Sequence, residues 1–300
     1  RVLEHAQSIN ISPDKRILHV LTQDFKVDDR GGIKNPEGLS GHRLEAKVHL
    51  VTSLINTEKD IRTCMDKVGI EILDFVLEPL ASAYSVLSID ERELGVVLID
   101  IGGGTTDVIV YRDGGVMHAG AIGIGGTNIS NDIAYGLQTT LDQAEMIKCN
   151  HGSSKTALAD LEDNIKIEGT GGRDAEIISQ NKLASYIEPR MDEIFRLAKN
   201  EINKSNIKGQ NTFGIVLTGG GASLNHIEDL AQDIFKQSIK IGSPELVGGI
   251  SEKVNNPRFS TAVGLIKYGI ENWESLEDDN ETITSIFQDF FSKIKRLFNS

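Results

Sequence analysis

The residues best able to do chemistry sit in two glycine-rich loops. The first, Asp100-Ile101-Gly102-Gly103-Gly104-Thr105-Thr106-Asp107, lies between two apolar runs. Glycines let backbone N–H groups approach an anion without a Cβ in the way, so the loop can cradle phosphate. Asp100 ends the apolar run and is placed to hold a water of Mg²⁺, an ion that keeps several waters when bound to nucleotide phosphates. A tight turn alone would need glycine, but not an Asp before the glycines and Thr105-Thr106-Asp107 after them. The second loop, Thr218-Gly219-Gly220-Gly221, also follows an apolar run and leads into helical spacing. Helix N-termini attract phosphates. Either loop alone could be a plain turn; two in one chain suggest two walls of one nucleotide cleft.

A third feature lies near the end of the chain. Ile283, Ile286, Phe287, Phe290, Phe291, Ile294, Leu297 and Phe298 fall on a single helical face, with Lys293, Lys295 and Arg296 largely off it. Such a helix either docks on its own domain or lies on a membrane, where its cations meet anionic headgroups. The acidic stretch 271–281 separates it from the last core helix and favours the membrane.

Strands and helices must position these residues. Leu44, Ala46, Val48 and Leu50 alternate with polar residues, which predicts a half-buried strand. A helix capped by Thr57 and Asp60 should follow, with Ile61, Cys64, Met65 and Val68 on one stripe and a left-handed stop at Gly69. Residues 72–77 read as a strand, and Pro79 opens a helix carrying Leu80, Ala83, Tyr84 and Leu87. The unbroken run 96–99 predicts a strand buried on both faces. Residues 106–111 and 116–122 should pair across Asp113-Gly114. Helical spacing covers 127–137, 140–151 and 182–203, with Thr140 and Gln143 capping the second, Gly152 ending it and Pro189 able to kink the third. Residues 213–217 read as a strand, Leu224 to Ile234 as a helix, and Ser260 as the cap of a helix reaching Tyr268.

Composition sets limits. The 300 residues carry a formal charge of −13, which lacks the positive potential that nucleic-acid binding needs. Two cysteines, Cys64 and Cys149, give no disulfide framework, and no signal-peptide pattern opens the chain, so a reducing cytoplasm is expected. No apolar run reaches the roughly 18 residues of a spanning helix, so membrane contact should be peripheral. Arg1 opens what already reads as a helix through Val2, Leu3 and Ala6, which suggests a fragment.

Pairing an Asp-hydrophobic-Gly-Gly-Gly-Thr loop with a later Thr-Gly-Gly-Gly-Ala loop resembles the actin, Hsp70 and sugar-kinase superfamily, in particular its phosphate-2 and adenosine motifs. Within it, residues 16–20 (RILHV), 32–39 (GIKNPEGL), 40–50 (SGHRLEAKVHL), 91–95 (ERELG), 187–190 (IEPR) and 260–269 (STAVGLIKYG) look like the FtsA family of bacterial cell-division proteins. The resemblance implies an α/β, actin-like (ribonuclease H-like) ATPase fold that binds ATP and Mg²⁺. Nucleotide contacts would come from Gly102, Gly103, Gly104, Thr105, Thr106, Gly219, Gly220 and Gly221, with Glu145 and Lys148 at ribose or adenine. Asp100 and Glu78 would be catalytic, Glu78 orienting the attacking water, with at most slow ATP turnover. The family's first strand and phosphate-1 loop are not found upstream.

The implied organisation is an FtsA-specific α+β subdomain at 1–72, a remnant of the first actin-like subdomain at 73–94 and 258–272, and a nucleotide-binding subdomain at 95–136 and 212–257. An outer, partner-binding subdomain would occupy 137–211, an acidic linker 273–282 and the membrane helix 283–300. Implied partners are the acidic C-terminal tail of FtsZ near Arg190, further copies in a filament, other division proteins and an anionic membrane. The place would be the cytoplasmic face of the inner membrane at the division site. Rival readings are a soluble phosphotransferase on the same superfold and a scaffold that binds nucleotide without hydrolysing it.

Overall fold

The computed structural model describes residues 2–169, 172, 174–205, 213–244 and 254–272. The predicted acidic linker and amphipathic segment lie outside them.

After a short helix α1 (Val2–Gln7), strand β1 (Lys15–Val27) pairs antiparallel with β2 (Arg30–Ile33) and, along its whole length, with β3 (Leu44–Leu54). The predicted alternation in β3 is real as a strand, but both faces are half-covered: His49 is as shielded as Val48 and Leu50. Its sheet meets the edge of a second one, where the His49 ring lies 6.2 Å from that of His118 and Gln23 Nε2 donates to Val116 O at 2.7 Å.

Helix α2 (Ile55–Lys67) begins directly after β3 at Leu54, so Thr57 lies inside the first turn instead of capping it. Gly69 takes the expected left-handed conformation, φ +71°. The expected stripe is present but uncovered, with Ile61 and Val68 exposed. Residues 72–77 form no strand among the described residues. Their donors go elsewhere: Leu77 N–H donates to His19 Nε2 at 3.0 Å, and the Phe75 ring receives the Arg62 guanidinium at 4.8 Å.

Helix α3 (Glu78–Val86) starts at Glu78-Pro79 as expected, and a helix the periodicity missed, α4 (Ile89–Leu94), follows a Ser88/Glu91 capping box. A five-stranded sheet then forms in the order β10-β9-β4-β5-β6. Strand β4 (Val96–Ile101) is buried throughout. Its alternate residues serve two cores: Val97, Ile99 and Ile101 one, Val96 and Leu98 the other. β5 (Thr106–Arg112) and β6 (Gly115–Ile122) join through Asp113 and Gly114, both at positive φ, the primed turn that Asp-Gly favours.

Helices α5 (Gly126–Leu137), α6 (Leu141–His151) and α7 (Gln180–Lys204) follow, α7 running unbroken through Pro189. Thr140 caps α6 by accepting from Gln143 N–H, but the Gln143 side chain bonds Thr139, so the capping is one-sided. Between α6 and α7, β7 (Ile165–Ile167) pairs with β8 (Glu176–Ile178). β9 (Ile215–Thr218) starts later than expected, Phe213 being 39% exposed. It leads through a 3₁₀ turn to α8 (Ile227–Phe235), which excludes Leu224, and β10 (Ile239–Ile241) closes the sheet.

The last described helix, α9 (Ser260–Glu271), packs on α3 so closely that a Cβ on Gly264 would lie 1.8 Å from Ala81 O. Ser260 is not its cap: the 3₁₀ turn Pro257–Phe259 precedes it, and Ser260 Oγ instead meets Thr218 Oγ1 at 2.6 Å. Core faces therefore cover β4 and β9 from both sides, and every residue of both strands is buried.

Candidate functional site

β4 and β9 are parallel neighbours, and Asp100 and Thr218 are register partners. The two glycine loops thus leave the sheet side by side at the same edge, where ligands of open α/β sheets collect. In the first loop Gly102 N–H donates to Thr105 O at 2.9 Å and closes a turn with Gly103 and Gly104 exposed at its crest. The carbonyls of Gly102 and Gly103 accept from Gly126 and Thr127 at 2.9 and 2.8 Å, which ties the loop to the start of α5. In the second, Gly219 is at φ +83° and a Cβ there would lie 2.3 Å from Asp100 Oδ1, so glycine is needed for both conformation and space.

Opposite the loops, α6 presents Glu145 and Lys148. Lys148 uses all three N–H donors, on Gly126 O (2.9 Å), Ser130 Oγ (2.9 Å) and Glu145 Oε2 (2.7 Å). Glu145 also accepts from Ser130 Oγ and from Cys149 Sγ. Burial pushes its pKa up, but these bonds, that of Lys148 foremost, outweigh it and hold the carboxyl below its ordinary value. Between α6 and the loops lies a cleft of about 320 Å³, lined among others by Gly102, Gly103, Gly220, Gly221, Glu145 and Lys148. Such a volume is at the lower end for small-ligand sites.

Below the first loop three carboxylates gather. Asp100, 3% exposed, accepts from Ser82 Oγ at 2.5 Å and from Thr261 Oγ1 at 3.4 Å. Burial raises its pKa, opposed by those two bonds. Asp107 is pushed up to about 6 by burial, opposed by a bond from Thr105 Oγ1 and reinforced by the charge of Asp100. Glu78 is raised by partial burial and then by Asp107 and Asp100. Mutual repulsion of this kind is relieved by a cation. Among the described residues no group of three His, Cys, Asp or Glu side chains is arranged to ligate a metal directly.

The remaining candidates are placed differently. Thr105 turns to Asp107, and Thr106 is fully buried with its hydroxyl donating to Ile124 O, away from the cleft. Arg190 is paired within the molecule, bidentate to Asp132 (2.7 and 3.0 Å) and also bonded to Glu193. Its pKa is raised first by the bond to Asp132. Ser82, Ser130, Thr261, Asn256 and Arg258 were not legible as site residues, because they come from elements that only the packing brings to the loops. Asp107 carried a signal: a carboxylate inside a strand of otherwise buried residues.

With a sheet covered by helices on both faces and two facing glycine loops at its strand ends, the fold is actin-like, as its resemblance to solved structures shows. MreB5 of Spiroplasma citri, solved bound to ADP and to AMPPNP, superposes with a TM-score of 0.56 over 73% of this chain and 68% of its own, at 20% identity. The PilM-PilN type IV pilus biogenesis complex gives 0.60 over 87% of this chain and 68% of that one, at 14% identity.

The chain belongs to the FtsA family of cell-division proteins. The family model "Cell division protein FtsA" matches residues 97–264, and "SHS2 domain inserted in FTSA" matches residues 1–52. Cell division protein FtsA of Pseudomonas aeruginosa is 43% identical over 271 residues, 90% of this chain and 65% of that protein. That of Neisseria meningitidis is 40% identical over 89% and 64%, and that of Escherichia coli 37% identical over 99% and 72%. The chain thus spans about two thirds of the length of these relatives.

Proposed function

We propose that this chain binds ATP with Mg²⁺ in the cleft between the two glycine loops and serves cell division as an actin-like tether. It would link a ring of FtsZ to the cytoplasmic face of the inner membrane and recruit later division proteins. The observation that carries the nucleotide reading is the single cleft lined by both loops and by Glu145 and Lys148, residues far apart in sequence. The FtsA family membership supports the division role, and nucleotide-bound MreB5 shows what this fold can hold elsewhere.

In mechanism, the exposed turn at Gly103 and Gly104 would receive phosphate through backbone N–H groups, and the first turn of α5 would add its dipole. Asp100 would hold Mg²⁺ through a bound water, held rigid by Ser82 and Thr261; the ion would supply charge to the phosphates. Glu78, in water's reach, would orient an attacking water, with turnover slow at most. The subdomain limits given above, self-association into filaments and the acidic FtsZ tail near Arg190 belong to the same proposal. So does the membrane helix 283–300.

Calorimetric titration of Mg-ATP into the full-length protein and into its Asp100→Asn variant tests it. Binding by the former, weakened at least about tenfold in the latter at equal Mg²⁺, is expected. Equal affinity would reduce the first loop to a turn.

A further inference from the structure

Arg258 is a second cation of the cleft, and no motif pointed to it. It lines the cleft from the 3₁₀ turn between the second glycine loop and α9. Its backbone is fixed: Arg258 N–H donates to Asn256 Oδ1 at 3.1 Å, and Gly219 N–H to Pro257 O at 3.3 Å. The guanidinium lies over the Phe259 ring, 4.6 Å from its centroid. Among the described residues it makes no ion pair, whereas Lys148 has all its donors engaged and its charge answered by Glu145.

Resting on the nucleotide reading above, we propose that Arg258 is a further binding residue that stacks on the base of the nucleotide and not on its phosphates. The phosphate end of the cleft is marked by the exposed turn at Gly103 and Gly104 and the start of α5. Arg258 stands beside Gly220 instead, sharing the cleft with Ser223, Leu224 and the buried Ile129. An apolar wall facing the Glu145 carboxylate repels phosphate and suits a flat ring. A guanidinium already stacked on an aromatic face offers its other, planar face to such a ring.

The test compares adenosine, ADP and ATP, each titrated by calorimetry into the unaltered chain, Arg258→Ala and Arg258→Lys at two salt concentrations. Because Arg258 is exposed, thermal melting should be unchanged and report that the variants fold. Base stacking predicts a loss of about tenfold in Arg258→Ala, the same for all three ligands and insensitive to salt, with little rescue by Lys, which has no plane to stack. A loss that grows from adenosine to ATP, shrinks with salt and is rescued by Lys would assign Arg258 to phosphate and overturn the proposal. An unchanged affinity in both variants, with the unaltered chain binding ATP, would overturn it while leaving the nucleotide reading standing. Failure of the unaltered chain to bind any of the three would sink both.

Discussion

Gly219 leaves no room for a side chain beside the carboxylate of Asp100: a Cβ at 219 would stand 2.3 Å from Asp100 Oδ1 and 2.6 Å from Ile101 O. The two glycine loops are therefore packed against one another at Gly219, where a side chain has no room. Gly219→Ala should cost about 1 to 2 kcal/mol for left-handed backbone, with the clash added to it. We expect a melting temperature lower by several degrees, and weakened nucleotide binding because Asp100 is displaced. Gly104→Ala is the control, since open space surrounds that position. Equal melting of the two variants would contradict this packing.

Asp107 gives a pH dependence whose sign can be worked out. Its folded pKa, about 6, lies above the ordinary 3.8 of an aspartate, because burial and the neighbouring Asp100 disfavour its charge. The folded state therefore holds the proton more tightly than the unfolded one, and between those pH values Asp107 lowers stability as pH rises. At neutral pH the penalty is on the order of 2 kcal/mol, after discounting for solvent screening. Asp107→Asn should raise the melting temperature at pH 7.5 and flatten its slope between pH 4 and 6. A variant less stable at pH 7.5 with the slope unchanged would rule this out.

Arg190 bridges α7 to Asp132 on α5, so an acidic peptide arriving there must compete with a carboxylate already in place. If the FtsZ tail binds at this point, Arg190→Glu should abolish capture of the peptide, and Asp132→Asn, which leaves the guanidinium paired with Glu193 alone, should strengthen it. Fluorescence anisotropy with a labelled tail peptide measures both. Weakening by Asp132→Asn to the same degree as by Arg190→Glu would mean that the pair is structural.

The apolar stripe at 283–298 predicts reversible binding to anionic vesicles. Eight large apolar side chains, at roughly 1.5 to 3 kcal/mol for each when fully buried, offset the entropy of ordering the segment only if they meet an apolar phase. Phe287→Glu or Phe290→Glu should release the chain from liposomes, and added salt should weaken binding through Lys293, Lys295 and Arg296. Among the described residues no helix is long and apolar enough to cross a membrane. Full retention of both variants in co-sedimentation would show that the stripe packs on protein.

Local pattern was sufficient for much of this protein. The run Val96 to Ile99 could only be a doubly buried strand, Asp113-Gly114 only a tight primed turn, and three glycines between strands only a loop kept free of side chains. Those features are set by neighbours in sequence, through backbone sterics and hydrophobic period. The same locality explains the errors. Residues 72–77 have strand-like composition, but a strand needs a partner, and among the described residues Leu77 N–H finds His19 instead. Ser260 has the chemistry of a cap, but its hydroxyl is used by Thr218 across the fold.

Tertiary structure alone decided which distant groups meet. Parallel pairing of β4 with β9 makes Asp100 and Thr218 neighbours although more than a hundred residues separate them, and nothing in either segment states that register. It also turned Thr106 inward, occupied Arg190 with Asp132, raised Asp107 by burying it beside Asp100, and brought Arg258 to the cleft. Side-chain type and spacing determine what a residue can do; the low-dielectric packing around it determines whether its charge is paired, buried or free to meet a ligand.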